Sequence, residues 1–357
     1  MTKQKVKLDP KYLEELSKID QLLKEQFIKH LIAGTYLENN SVELYLKFYN
    51  FVGHYANKDE EAENLYNYYK KIIDDFSKEL AKELKVISND DIIDIFIDIA
   101  NRMDILISYM SKTFSYLDLY FVKSKNLKTL LESALEIYKN NIFLPVQKEL
   151  IDGVNKLIQE DRKGKKENRK KIKKIINIIK TMDLKKPKIY RENNAIIWTN
   201  SYKENNETNP IQDYWLKLFL EETKNFISSK VIQDIQNKTI TEYISTELKF
   251  LEEEEERQNE LFGEISLKGL NEIVYEEIIG KRMKELFEKY SEIKNMFENN
   301  EYEHLSNLFK LFKFYEPSLN ELAKICRDFI LKKGEELNQK EGNKRKQKQV
   351  SYSINRI

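Results

Sequence analysis

The sequence predicts an all-α protein made of stacked helical units, and three observations predict it. Only 9 glycines and 5 prolines occur in 357 residues, too few for the many turns of an all-β chain. Apolar residues recur at helical spacing along most of the length, giving roughly a dozen or more helices and no convincing strand. The joints between these segments are short. Such a chain suggests packed helical bundles or an elongated solenoid, with any internal repeat too degenerate to show as self-similarity.

Taken in order, Pro10 and Tyr12 open a helix that carries Leu13, Leu16, Ile19, Leu22, Leu23, Phe27 and Leu31. The window "SVELYLKFYNFVGHYA", Ser41 to Ala56, is a second. Asn126 to Asp161 reads as two helices separated at Pro145. A basic run, "RKGKKENRKKIKK", reads as a solvated linker and continues into an Ile-rich helix that ends at Pro187. "NNAIIWTNSYKENNETNPIQDYW" is the least regular stretch and is expected to hold the largest loop. Almost continuous helix follows, jointed near Asn237 and Lys238, and at least three more helices complete the pattern. Five consecutive glutamates within Leu251 to Glu260 read as a solvated helix face. The tail from Gln339 is polar, basic and patternless, and is expected to be disordered. Its "KRKQK" is a candidate nuclear-import patch.

Several function classes lose support. With 61 basic and 60 acidic side chains, net charge points to neither nucleic acid nor a membrane surface. No apolar run of about 18 residues appears, and the first residues hold no apolar signal core. The single cysteine, Cys326, fits a reducing compartment and reads as a buried structural thiol. Cytoplasm and nucleus are the expected locations. His30, His54 and His304 have no metal-ligand spacing, and no glycine-rich phosphate loop or Gly-x-Ser-x-Gly elbow occurs. No cofactor is implied, and no acid–base or nucleophile set of an enzyme is visible.

The window from Ser41 carries the clearest functional signal. Steps of about 100° per residue place Leu44, Phe48, Phe51, Val52 and Tyr55 in one sector. Val42, Tyr45, Leu46 and Tyr49 fill the adjoining one, and the whole apolar arc spans about 220° against roughly 100° for a single buried stripe. Either the helix is buried between several others, or its second face is lent to a partner. Tyrosine, with an apolar body and a polar tip, suits a surface that is wet when free and dry when bound.

The same residues carry a family likeness. "ELYLKFYNF" resembles the Glu-Leu-Tyr-x-x-x-Tyr-Asn-aromatic signature near the start of cullins. "YMSKTFSYLD" is similar to the family's Tyr-Leu-Asn-Arg helix end, with Ser111 and Lys112 in place of Asn-Arg. "ALEIYKNNIFLPVQKELIDGVNKLIQEDRKG", the segment with Thr-Glu-Tyr from Thr241, and "YEHLSNLFKLF" resemble later cullin segments in the right order, over about residues 10 to 335. "TITEYI" and "IFLP" are most similar to the F-box-recruiting group.

The resemblance implies an elongated right-handed stack of three five-helix cullin repeats: residues 1–163, 164–265 and an incomplete 266–338, then a disordered basic tail, 339–357. It implies a non-catalytic scaffold of a ubiquitin ligase. A BTB/POZ-fold adaptor of the SKP type, carrying an F-box substrate receptor, would sit on Val42, Tyr45, Leu46 and Tyr49, with Arg102, Met103 and Leu106 added from the fifth helix. No cullin-homology domain follows in this sequence, so the site for a RING protein and the modifier-accepting lysine are expected to be missing. A helical tethering or trafficking scaffold unrelated to ubiquitin is the competing reading.

Overall fold

The helices begin and end where local chemistry dictates. The computed structural model describes residues 8–35, 42–85, 91–193, 195–200, 209–262, 267 and 269–354. Asp9 caps α1 (Pro10–Leu23): its side chain accepts from the Lys11 amide at 2.9 Å, and Pro10 takes the first helical position. A π turn, Lys24–Ile28, joins α1 to α2 (Lys29–Ile32). Next come α3 (Val42–Tyr55), α4 (Asp59–Leu84) and α5 (Ile92–Thr113). A second π turn, Leu117–Val122, leads to the single turn α6 (Lys123–Lys125), which stops at Asn126 in left-handed backbone. Thr129 and Glu132 form a capping box at the start of α7 (Leu130–Tyr138). Pro145 lies in a 3₁₀ turn before α8 (Gln147–Arg162), at the expected break. After α9 (Arg169–Met182) the chain forms strands β1 (Pro187–Glu192) and β2 (Ala195–Asn200).

Helix returns with α10 (Pro210–Asn237) and α11 (Ile240–Arg257), whose joint at Lys238 and Thr239 is sealed by a second capping box, Thr239 with Glu242. The last elements are α12 (Leu270–Ile278), α13 (Met283–Glu288), α14 (Tyr290–Glu298), α15 (Tyr302–Phe312) and α16 (Glu316–Ile354).

The chain forms two units, divided between Trp215 and Leu216. In the first, α5 is the hub: it packs against α2, α3, α4, α7, α8, α9 and β2. Its buried residues, among them Ile93, Phe96, Ile99, Met103, Leu106, Ile107 and Met110, point in nearly every direction, as expected of a helix enclosed on most sides. In the second unit α11 packs on α15, which also meets α14 and α16. Tyr243, Ile244, Phe250, Leu308, Leu311 and Phe312 are buried there, and the Tyr243 hydroxyl donates to the Ile278 carbonyl at 2.6 Å.

The structure corrects several sequence expectations. The all-α reading holds for the fold class, but a two-stranded antiparallel hairpin interrupts the helices and pairs Ile189 with Trp198. Its residues, Ile189, Tyr190, Ile196, Ile197, Trp198 and Thr199, favour extended backbone, and Asn193 supplies a left-handed turn position. The expected large loop is thus strand through Asn200, and residues 201–208 lie outside the described residues. The tail expected to be disordered from Gln339 instead continues α16 as far as Ile354. Lys, Arg, Gln and Glu are good helix formers, so a patternless stretch need not break; residues 355–357 lie outside the described residues.

The two charge runs are not wholly solvated. Arg169 is buried and grips the buried Asp161 with Nε at 2.7 Å and Nη2 at 3.2 Å. Glu254 is buried with Arg257, one turn away on α11, as its ion-pair partner. Cys326 is half-buried rather than buried.

Candidate partner-binding face

Helix α3 divides its apolar surplus between two faces. Leu44, Phe48, Phe51, Val52 and Tyr55 are buried, held against α1, α4 and α5. The Tyr12 ring on α1 stacks on Phe51 with centroids 5.7 Å apart and meets Tyr55 edge-on at 4.9 Å. Burying such side chains stabilises the fold by about 1.5–3 kcal/mol each. On the other side Val42 is 65% exposed and Leu46 52%, with Tyr45 and Tyr49 half-buried beside them. The two tyrosines stack at 5.7 Å.

These tyrosines belong to a longer aromatic row. Tyr45 meets Tyr109 of α5 edge-on at 6.1 Å, and Tyr109 stacks on Phe27 of the first π turn at 4.3 Å. Tyr49 lies 5.0 Å from Tyr116, which stacks on Tyr120 at 6.0 Å. A hydrogen bond to Tyr116 holds the Tyr49 phenol above its ordinary pKa. Gly53 lets the row close up, because a Cβ there would stand 3.1 Å from the Tyr116 ring. The far end is carried by the second π turn, where Leu119 is 57% and Tyr120 45% exposed. Asp118 ties that turn to α7 by accepting from the Leu130 amide at 2.9 Å. Burial pushes its carboxyl up to about 6.

The residues expected from the fifth helix do not join this face. Met103 and Leu106 are fully buried, because the hub position of α5 leaves only a narrow stripe outward. Arg102 is also buried: Nη1 donates to Glu83 at 2.8 Å and to the Ile32 carbonyl at 3.0 Å, and Nη2 pairs with Asp98 at 2.8 Å. It clamps α5 to α4 and to the end of α2. The outward stripe runs through Asp94, Asp98, Asn101, Ile105, Tyr109 and Lys112, at steps of three and four. Its polar members are visible in the sequence, and the same stepping reaches Ile105 and Tyr109. The sequence reading missed Tyr109, Tyr116 and Tyr120.

A row of half-exposed tyrosines flanked by exposed Val42, Leu46 and Leu119 can bury apolar area while each hydroxyl stays at a rim. The face brings together no acid–base or nucleophile set. Among the described residues no group of three or more His, Cys, Asp or Glu is placed to hold a metal ion, and no helix is long and apolar enough to cross a membrane.

Comparison with known proteins decides the family. The family model of the cullin alpha solenoid domain matches residues 21–357. The chain belongs to the cullin family. Cullin-3B of Arabidopsis thaliana is similar at 23% identity over 314 residues, which cover 87% of this cullin chain and 38% of the relative. Cullin-3A of the same plant is 22% identical over 338 residues, 94% of the chain and 42% of the relative. Cullin-3 of Dictyostelium discoideum is 20% identical over 292 residues, 81% and 34% respectively. The cullin chain thus spans well under half the length of these relatives.

Proposed function

We infer that this chain is the adaptor-binding stalk of a cullin-type ubiquitin ligase scaffold, with the α3 face as its docking surface. One observation carries the reading: α3 exposes Val42 and Leu46 beside a stacked row of tyrosines while its other apolar residues fill the core. Family membership supports an adaptor and substrate receptor as partners, and a BTB/POZ-fold adaptor is the partner class of this reading. The contact set becomes Val42, Tyr45, Leu46 and Tyr49 with Tyr109, Tyr116 and Tyr120; Arg102, Met103 and Leu106 act as structural support. The chain's part is to hold and position. The transfer chemistry belongs to other partners.

Within that class, the motifs "TITEYI" and "IFLP" favour an SKP-type adaptor with an F-box receptor. The relatives above are named Cullin-3, and those names lend the F-box assignment no weight. The partition into repeats at 1–163, 164–265 and 266–338 belongs to the same proposal, as does a location in cytoplasm and nucleus. The test is a binding titration of the chain against an SKP-type protein and against a BTB-domain protein. Saturable binding of either, lost when Leu46 is replaced by Asp, supports the reading. Failure of both adaptors to bind removes it.

A further inference from the structure

The basic run that leads into α9 is neutralised differently from the other charged helices of the first unit. Exposed lysines there sit one turn from an acid: Lys18 from Glu14, Lys24 from Asp20, Lys47 from Glu43 and Lys78 from Asp74, all at 2.6 or 2.7 Å. Residues 162–191 instead carry 14 basic side chains against two acids, Glu167 and Asp183. Asp183 is buried and accepts from the Ile211 and Gln212 amides at 3.1 and 2.8 Å. Lys171 reaches sideways to Asp94 of α5 at 2.8 Å, and Arg169 is locked on Asp161. Lys163, Lys165, Lys170 and Lys173 are exposed, and among the described residues none of their side chains has an ion-pair or hydrogen-bond partner. The fold gathers them. With Arg169 at 0°, steps of about 100° place Lys170, Lys173, Lys174, Asn177 and Thr181 between roughly 40° and 140°, away from the buried Ile172, Ile175, Ile176 and Ile179. Lys163 and Lys165 flank Gly164 in the joint that leads into this arc, and the Asp161–Arg169 pair fixes that joint. Lys170 and Lys174 are one turn apart, a spacing at which like charges repel. Helix α9 has neither an acid in its first turn nor a side-chain cap, so Lys170 also faces the positive end of its own helix. A single-sign face that opposes its helix in two ways suits an external polyanion.

We propose that the outer face of α9 and the joint before it bind the phosphate backbone of a nucleic-acid duplex without reading its bases. Duplex DNA carries one charge per about 1.7 Å of axis, and release of its condensed counterions favours each lysine that reaches a phosphate. An acidic protein offers no such release, and exposed ion pairs to it contribute little. A protein interface also needs a centre poor in lysine, and among the described residues no large hydrophobic side chain is exposed on α8 or α9. The same lack leaves nothing to insert into a membrane. The arc carries no aromatic ring on which unpaired bases would stack, which favours a duplex over a single strand. The near-zero net charge of the whole chain does not oppose this binding, because exposed charges act over only about 10 Å at 0.1 M salt. The proposal is independent of adaptor binding, since no residue of the α3 face lies on this arc.

Fluorescence anisotropy of a labelled DNA duplex of mixed sequence, about 20 base pairs long and titrated with the full chain, tests it. Micromolar binding is expected at about 50 mM salt, weakening about 100-fold by about 200 mM, the dependence of roughly four phosphate contacts. Lys170→Glu combined with Lys173→Glu is expected to weaken binding at least about tenfold and to flatten the salt dependence by about two contacts. The unfolding temperature of that chain is expected to stay the same or rise, because like-charge neighbours are gone and an acid enters the first turn. Lys11→Glu combined with Lys82→Glu changes the net charge equally on other helices and is expected to alter binding by no more than about twofold. No binding at about 50 mM salt, a control pair that loses as much as the α9 pair, an α9 pair that folds and binds as the wild type does, or tighter binding to phosphatidylserine vesicles or to polyglutamate than to the duplex would each overturn the proposal.

Discussion

Helices α3 and α5 are both richer in apolar residues than one buried stripe requires, and the fold treats them in opposite ways. The first unit surrounds α5 with seven other elements, so its surplus is core. It gives α3 fewer neighbours, α1, α4 and α5, and the rest of its apolar arc stays in contact with water as Val42, Tyr45, Leu46 and Tyr49. A wide apolar arc therefore states only how much surface a helix must cover. Which part stays exposed depends on how many helices the topology sets against it. A second difference is chemical: the outward surplus of α3 includes two tyrosines, whereas the buried surplus of α5 is mostly Ile, Leu, Met and Phe.

The sharpest way to break the comparison is to truncate inward residues on both helices. Phe48→Ala on α3 is expected to cost about 3–5 kcal/mol and Met103→Ala on α5 about 2–5 kcal/mol, read as loss of stability in denaturant titrations. A Met103→Ala chain that keeps full stability but loses adaptor binding would restore Met103 to the interface.

The enclosure of α5 also predicts a pH effect. Burial pushes the Asp104 carboxyl up to about 6 from 3.8, against the lowering influence of the Trp198 hydrogen bond and Lys174. The folded state therefore holds this proton more tightly than the unfolded chain. The stabilisation is complete below about pH 4 and is lost as pH rises to about 6. The full effect is about 3 kcal/mol at most, taking 1.36 kcal/mol per unit. Asp104→Asn keeps an acceptor for Trp198 and is expected to flatten this part of the stability–pH curve, raising stability at neutral pH. Asp118 adds to the trend in the same direction. A stability that climbs steadily from pH 4 to 7 in wild type and is unchanged in Asp104→Asn would contradict that picture.

Smaller effects probe the outward face. Leu46→Asp is expected to change stability by no more than about 0.5 kcal/mol yet to weaken adaptor binding, measured by calorimetry. Gly53→Ala pushes a methyl group to 3.1 Å from the Tyr116 ring. A few tenths of an ångström of ring displacement is the expected response, with a binding loss smaller than that of Leu46→Asp. Binding by Gly53→Ala equal to that of the wild type would show that the row's far end lies outside the contact.

Much of this was legible from the sequence. The helical class follows from spacing and scarce glycine, and the wheel of Ser41 to Ala56 separates inward Leu44 and Phe48 from outward Leu46 in agreement with their burial. The α5 residues were misplaced because a helix with many neighbours has only a narrow outward stripe, and a register one position off moves from Asn101 and Ile105 to Arg102 and Leu106, with Met103 one position further. The polar series Asp94, Asp98, Asn101 and Lys112 held the correct register. Tyr116 and Tyr120 join the face through tertiary packing and a π turn, which periodicity does not encode. The hairpin escaped notice because its strands are short and one of their anchors, Trp198 to Asp104, is long-range.

The central claim is that one face of α3 folds the protein and the other serves a partner. Its most direct test is the joint replacement of Tyr45 and Tyr49 by Ala, read in parallel by adaptor-binding calorimetry and by thermal unfolding. The account predicts at least about tenfold weaker binding, near 1.4 kcal/mol, with a stability loss well below that of Phe48→Ala. Unchanged binding, or a stability loss as large as that of Phe48→Ala, would contradict it.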